Sequence, residues 1–257
     1  MKNIVIMGAS SGIGLALAEA LAKGGLRLGL AARRTEPLHE LARRYPDQIE
    51  YSSIDVSDSD APVKLRELIT RLGGMDLYFH AAGIGFMNPE LNPEVERKMV
   101  MTNAVGFSVC LSEAYNYFRS KGGKGQIAAL TSVAGTKGIG DMAAYSSSKA
   151  FDQTYMTALR QLAHAEGLDL TLTDIRPGWI RTPLLDSDKT YPMEMTIEEV
   201  LPQILQAVVE KKSVVVIGWK WNLTVGAWRM LPNALWTRMH IKMQKDKDEA
   251  AKEESSE

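Results

Sequence analysis

The chain has little of what marks several large classes of protein. Its 257 residues include one cysteine, Cys110, so no intramolecular disulfide can form, and we expect a reducing, cytoplasmic environment. Four scattered histidines and that cysteine give no metal-ligand spacing, and we predict no metal site. No apolar run approaches the roughly eighteen residues needed to span a bilayer. The formal net charge of −1 gives no reason to expect a nucleic-acid partner.

What is present is typical of a soluble α/β domain. Hydrophobic residues make up 45% of the chain and charged residues 24%. Because the first apolar run begins at Asn3, we expect no signal peptide. Apolar runs predict strands near residues 3–7, 27–32, 50–54, 76–80, 125–131, 170–175 and 213–217. The intervening segments predict helices near residues 12–24, 35–45, 59–73, 93–119, 143–166 and 196–210.

This alternation predicts a single-domain, Rossmann-like, doubly wound parallel sheet of seven strands with helices on both faces. Residues 1–218 would form that domain. Residues 219–245 would form a tryptophan-rich basic extension, and residues 246–257 a charged tail.

Three glycines follow the first predicted strand in the spacing G-x-x-x-G-x-G: Gly8, Gly12 and Gly14. Glycine at such a turn lets the backbone approach a pyrophosphate, and the N-terminus of the next helix offers unpaired N–H groups. An ordinary strand-to-helix turn can carry the same glycines. The strand before them and the helix after them favour a nucleotide site.

Tyr145 and Lys149 lie four residues apart in a predicted helix and therefore share one face. A tyrosine hydroxyl titrates near pH ~10, which makes it a poor acid near neutrality, but a nearby ammonium favours the phenolate. Ser132 follows another predicted strand, and its hydroxyl could bond a substrate carbonyl. Singly, each residue has an ordinary structural explanation. Together they predict a group that protonates a ketone oxygen as hydride reaches the ketone carbon.

In order and spacing these motifs resemble the short-chain dehydrogenase/reductase family, in its classical form, over about residues 1–218. The resemblance implies a catalytic tetrad of Asn103, Ser132, Tyr145 and Lys149. Tyr145 would be the general acid in reduction, Lys149 would hold the nicotinamide ribose and Ser132 would orient the carbonyl. Asn103 would position a water molecule that relays protons.

The segment Pro177–Thr182 matches the family segment that flanks the nicotinamide. With the glycine motif, it completes the predicted cofactor site. That predicted site consists of Gly8, Ser10, Ser11, Gly12, Ile13, Gly14, Arg33, Arg34, Asp55, Val56, Ala82, Gly83, Tyr145, Lys149, Pro177, Gly178, Ile180 and Thr182.

Arg33 and Arg34 end the second predicted strand, where an acidic residue would bind the ribose 2′-hydroxyl of NAD. Guanidinium groups there favour the 2′-phosphate of NADP, and the resemblance implies this role for Arg33. Both arginines could instead be solvated. The resemblance places Asp55 at the adenine amino group, although Asp55 could equally cap a helix.

Two positions depart from the family pattern. Met7 replaces the usual threonine before the glycine motif, and His80-Ala-Ala-Gly83 replaces Asn-Asn-Ala-Gly. In the family those polar side chains help to join the first and fourth strands. His80 could be an alternative polar link or, as we favour, a core histidine.

The substrate side and the extension leave several alternatives open. Four residues could wall an apolar pocket or simply pack the core: Met142, Trp179, Leu184 and Leu185. The extension holds four of the five tryptophans, and residues 219–244 contain basic but no acidic residues. Four apolar residues after Pro232 recur at helical spacing: Leu235, Trp236, Met239 and Met243. The extension could contact a membrane surface, cover the pocket or pack on a second subunit.

From these observations we expect an NADPH-dependent carbonyl reductase that acts on a small-molecule, apolar ketone. The same residues would suit an NADP-dependent alcohol dehydrogenase working in the oxidative direction. A catalytically idle, NADPH-binding sensor is the alternative outside the enzyme class. The resemblance implies a homodimer or homotetramer formed through the helices at residues 93–119 and 143–166.

Overall fold

A computed structural model describes residues 2–185, 188–239, 241 and 245–246. Its centre is a seven-stranded parallel sheet in the order β3-β2-β1-β4-β5-β6-β8, and β7 and β9 form a separate antiparallel pair. The strands are β1 (Asn3–Met7), β2 (Arg27–Ala32), β3 (Ile49–Ser53), β4 (Leu77–His80), β5 (Gly125–Leu130), β6 (Leu170–Arg176), β7 (Lys189–Thr190), β8 (Val214–Val216) and β9 (Lys245–Asp246). The predicted fold class is confirmed, with each predicted strand of the main sheet placed within one residue.

Helices cover both faces of the sheet. They are α1 (Gly12–Lys23), α2 (Glu36–Arg44), α3 (Ala61–Leu72), α4 (Pro93–Val100), α5 (Phe107–Ser120), α6 (Ala143–Ala165), α7 (Ile197–Val209), α8 (Trp219–Met230) and α9 (Asn233–Trp236). In β1, Ile4 and Ile6 pack towards α1, α2 and α7, whereas Val5 and Met7 pack towards α3, α5 and α6. Burial on both faces explains why inner strands such as β1 and β2 are nearly continuously apolar rather than alternating.

The prediction of one α-helix over residues 93–119 is wrong. A π-helical turn, Met101–Gly106, separates α4 from α5. Inside that turn the Asn103 amide bonds the backbone of Ile84. At Gly106 a Cβ atom would lie 2.6 Å from a Val56 methyl carbon. Other chain segments therefore pack closely against this turn.

The extension packs against the domain, beside the loop that follows β5. The Trp221 indole is buried and donates to the Met193 carbonyl oxygen at 3.1 Å. Trp236 donates to the Gly138 carbonyl oxygen at 2.6 Å. The apolar residues after Pro232 do not share one helix, because α9 ends at Trp236. Met243 and the charged residues 247–257 lie outside the described residues.

None of the helices in the described ranges combines the length and the apolar character that crossing a bilayer requires.

Candidate active site

A cleft with a cavity volume of about 450 Å³ opens beyond the C-terminal ends of the strands. The strand order reverses between β1 and β4, and such a switch point is where doubly wound sheets bind ligands. All eighteen residues predicted to contact a cofactor line this one cleft. They come from the loops after β1, β2, β3, β4 and β6 and from α6. The structure brings the predicted set together, while the role of each residue remains a prediction.

The turn after β1 leaves no room for side chains at two glycines. Gly8 has a φ of +89°, and a Cβ atom there would lie 2.5 Å from the Ala82 nitrogen. At Gly14 a Cβ atom would lie 2.2 Å from the Gly8 carbonyl oxygen. The Ser11 side chain makes no capping hydrogen bond at the start of α1. This helix start therefore faces the cleft with backbone N–H groups that suit an anionic diphosphate.

At the end of β2, the Arg33 guanidinium lies 3.8 Å from an Asp55 carboxylate oxygen, and its side chain is 55% exposed. The other Asp55 oxygen accepts bonds from the Ser57 nitrogen at 2.9 Å and hydroxyl at 2.6 Å. Partial burial opposes ionisation of Asp55, but these bonds give a net lowering of its pKa. Asp60, not Asp55, occupies the N-cap of α3. Asp55 thus caps a turn and supplies negative charge beside Arg33 in the cleft.

Tyr145 and Lys149 project from the first turns of α6 into the cleft. At Gly85 a Cβ atom would lie 3.0 Å from the Tyr145 ring, so a larger residue there would require the ring to shift slightly. The Lys149 ammonium donates to Asp152 at 3.0 Å and to the Leu130 carbonyl oxygen at 3.4 Å. Burial lowers the pKa of Lys149, but Asp152 and Tyr145 more than offset this and raise it overall. Lys149 is therefore a charged group at neutral pH.

The Ser132 and Asn103 side chains stand behind the cleft and do not line it. The Ser132 hydroxyl donates a long bond of 3.4 Å to the Pro177 carbonyl oxygen and accepts from the Ala134 nitrogen. The Asn103 amide bonds both backbone groups of Ile84, at 2.9 and 2.8 Å, and donates to the Ser148 hydroxyl. Asn103 thus holds the loop after β4 in place. This use of its side chain was not predicted from the sequence.

His80 is a core histidine. Its Nδ1 atom lies 2.8 Å from the Tyr78 hydroxyl, and its ring meets Phe107 edge-on with centroids 5.0 Å apart. Burial, with a contribution from Lys149, lowers the pKa of His80 to about 3, so the ring is neutral. Its described side-chain hydrogen bond is to its own strand, so it gives no polar link from β4 to β1.

The far end of the cleft is apolar. Met142, Trp179, Leu184 and Leu185 all line it, which favours the pocket-wall interpretation over ordinary packing. Phe86 lines the same end and was missed, although it directly follows the Gly83-Ile-Gly85 loop. These side chains give the cleft an apolar wall.

Comparisons with known proteins agree with this geometry. The family model for short chain dehydrogenase matches residues 2–192. An uncharacterized oxidoreductase of Myxococcus xanthus is 31% identical over 91% of this chain and 94% of its own length. An uncharacterized oxidoreductase of Mycobacterium tuberculosis is 32% identical over 92% of this chain and 96% of its own length.

Solved structures share the fold. A short chain dehydrogenase from Burkholderia cenocepacia, in complex with NADP, has a TM-score of 0.79 at 21% identity, over 94% of this chain and all of its own. An alcohol dehydrogenase from the archaeon Thermococcus sibiricus, complexed with 5-hydroxy-NADP, has a TM-score of 0.72 at 25% identity. The match covers 84% of this chain and 95% of that one. The family match, the relatives and the cleft together identify the chain as an oxidoreductase that belongs to the short chain dehydrogenase family.

Proposed function

We propose that this oxidoreductase reduces a carbonyl compound to an alcohol with NADPH. The observation that carries the proposal is that Tyr145 and Lys149 share one cleft with the glycine turn after β1. Family members of known structure, from Burkholderia cenocepacia and Thermococcus sibiricus, hold NADP or a derivative of it.

The cleft suits NADP(H) along its length. The N–H groups at the start of α1 would hold the diphosphate, and Arg33 and Arg34 would hold a 2′-phosphate. Lys149 would hold the nicotinamide ribose, close to Gly83, where a Cβ atom would lie 3.5 Å from the ammonium. When bound, the cofactor supplies the hydride.

The protein would supply the proton. The Tyr145 hydroxyl would donate to the carbonyl oxygen, and the buried, charged Lys149 would favour the phenolate that is left. For Ser132 to orient the carbonyl, its hydroxyl would have to exchange the long 3.4 Å bond to the Pro177 carbonyl oxygen for one to a substrate oxygen, because the side chain does not line the cleft in this structure. Asn103 would contribute by fixing the loop after β4, and its relay of protons through water remains a prediction.

An apolar ketone fits the far end of the cleft best. Aromatic and aliphatic side chains from three separate loops meet there, and burying a substrate chain against them stabilises the complex by about 25 cal/mol per Å². These side chains are Phe86, Met142, Trp179, Leu184 and Leu185. The residues that would protonate a ketone would also deprotonate an alcohol, so direction depends on the cofactor ratio and the substrate supply.

We further propose that the protein forms a homodimer or homotetramer through the faces of α4, α5 and α6. Exposed apolar side chains lie on α4, the π-helical turn and α6: Val100, Val105, Phe151 and Leu162. Light scattering that gives one chain mass at micromolar concentration would contradict this. A cytoplasmic location, which the buried thiol of Cys110 suits, is part of the same proposal.

The outer face of α8 suits an anionic lipid surface. Trp219, Leu223 and Met230 are exposed along one side of the helix. The helical period places Lys220 and Arg229 on opposite flanks of that stripe. Two copies docked face to face would bring these basic residues together, whereas anionic headgroups would neutralise them. We therefore propose that α8 makes peripheral contact with anionic lipid.

The function is tested by following NADPH and NADH oxidation with ketones of increasing chain length. The wild type should turn over with NADPH, and faster as the chain lengthens, while Tyr145→Phe should lose at least about 100-fold in kcat. Tyr155→Phe is the matched control, because Tyr155 is on the same helix, bonds Ser112 and does not line the cleft. NADPH binding without turnover of any ketone would instead support a sensor.

A further inference from the structure

The Lys149 ammonium is paired with a buried carboxylate that neither the family motifs nor the cleft assigns to function. Asp152 follows Lys149 by three residues on α6, and its Oδ2 atom lies 3.0 Å from Nζ. The Asp152 side chain is fully buried and does not line the cleft. Among the described residues, Lys149 is the hydrogen-bond partner of this carboxylate, and the Oδ1 atom has none.

A buried ammonium without a counter-charge is costly and tends to lose its proton. Lys149 is almost wholly buried, and its three N–H groups have two described acceptors, Asp152 and the Leu130 carbonyl oxygen. The third N–H group remains for the cleft, which Lys149 lines. Asp152 thus compensates the charge while leaving the cleft-facing part of the lysine unobstructed.

The other titratable groups near this pair are arranged differently. Tyr145 lies on α6 and neutral His80 on β4, and both interact electrostatically with Lys149. Asp174, on β6, also acts on Lys149 and Asp152. Its carboxylate is already bonded by the Arg176 guanidinium at 2.6 and 2.8 Å. Within the described part of the chain, Asp152 is therefore the carboxylate that bonds Lys149 directly and has no other cationic partner.

We propose that Asp152 is a positioning residue that keeps Lys149 charged and fixed in the cleft and so sets the alkaline limit of cofactor binding and turnover. This inference deepens the proposed reductase function and rests on it. Burial raises the pKa of Asp152 to about 6 despite the opposing effect of Lys149. The carboxylate is still ionised at the pH values where Lys149 would otherwise lose its proton.

The test is Asp152→Asn, which keeps size and shape but removes the charge. Two properties should be followed from pH 6 to pH 11: NADPH binding by fluorescence, and kcat/KM for ketone reduction. In the variant the alkaline limb of both profiles should move to lower pH by about one unit or more. Asp152→Glu should keep the limb near that of the wild type, even where its overall rate is lower. Asp152→Ser replaces the asparagine variant if that protein does not fold.

Asp174→Asn is the matched control, because it removes an equally buried carboxylate that accepts hydrogen bonds from Arg176 and Thr131. It should lower thermal stability but move the alkaline limb less than Asp152→Asn does. If folded Asp152→Asn keeps the alkaline limb of the wild type in the pH profiles of both NADPH binding and kcat/KM, the inference is overturned. If the binding limb moves while no ketone is reduced by the wild type, the reductase proposal fails and the role of Asp152 stands.

Discussion

Replacing Arg33 by glutamine tests how the protein selects its cofactor. The Arg33 side chain is 55% exposed, and its guanidinium lies 3.8 Å from Asp55, too far for a hydrogen bond. The guanidinium can therefore turn to a 2′-phosphate without losing a strong partner. A hydrogen bond to a charged group contributes roughly 1.5–3 kcal/mol. Screening at this exposed site brings the expected value to about 1–2 kcal/mol, or about 5- to 30-fold in Kd.

The assay is a titration of the protein with NADPH and, separately, with NADH. Arg33→Gln should weaken NADPH binding by that factor and leave NADH binding unchanged, and raising the salt concentration should shrink the difference. Arg43→Gln is the control, because Arg43 is a similarly exposed arginine, paired with Glu40 at 3.4 Å, outside the cleft. Equal weakening of both cofactors, or no effect on NADPH in an Arg33→Gln, Arg34→Gln double variant, would refute the reasoning.

Two further predictions concern the core and the extension. Because the pKa of buried His80 is lowered to about 3, the unfolded chain binds more protons below pH ~6.5, and stability falls as the pH drops. Between pH 6.5 and 5 the free energy of unfolding of the wild type should fall by about 2 kcal/mol more than that of His80→Asn, as measured by chemical unfolding. The same pH dependence in the two proteins would count against this. Trp219→Ser with Leu223→Ser should abolish sedimentation with phosphatidylserine vesicles. If the wild type does not sediment with those vesicles, or sediments equally with neutral vesicles, the proposed contact with anionic lipid is excluded.

The fold could be predicted because its determinants are local. The inner strands β1, β2, β4 and β5 are short, largely apolar runs buried on both faces, so the run itself marks the strand, whereas the edge strands β3 and β8 are only partly buried. The cleft was predictable for a related reason. Parallel strands deliver the residues that follow them to one edge, and the turn residues after β1, β4 and β6 therefore meet there.

Features set by contacts between distant segments were not predictable. In the π-helical turn, Asn103 bonds the backbone of Ile84, nineteen residues away. The end of α9 coincides with the bond between Trp236 and Gly138, 98 residues apart. Asp152 lies only three residues from Lys149, but on a helix that spacing alone does not distinguish a buried partner from a solvated carboxylate. The burial that makes Asp152 informative comes from the packing of α6 on the sheet.

Deuterium transfer tests the central claim most directly. NADPH labelled with deuterium in place of both hydrogens at the nicotinamide C4 would be incubated with an apolar ketone and either wild-type or Tyr145→Phe protein, and the product analysed by mass spectrometry. We expect deuterium on the carbinol carbon of the alcohol, formed by the wild type and at least about 100-fold more slowly by Tyr145→Phe. Equal rates in the two proteins, or an alcohol without deuterium, would contradict the assignment of hydride transfer assisted by Tyr145.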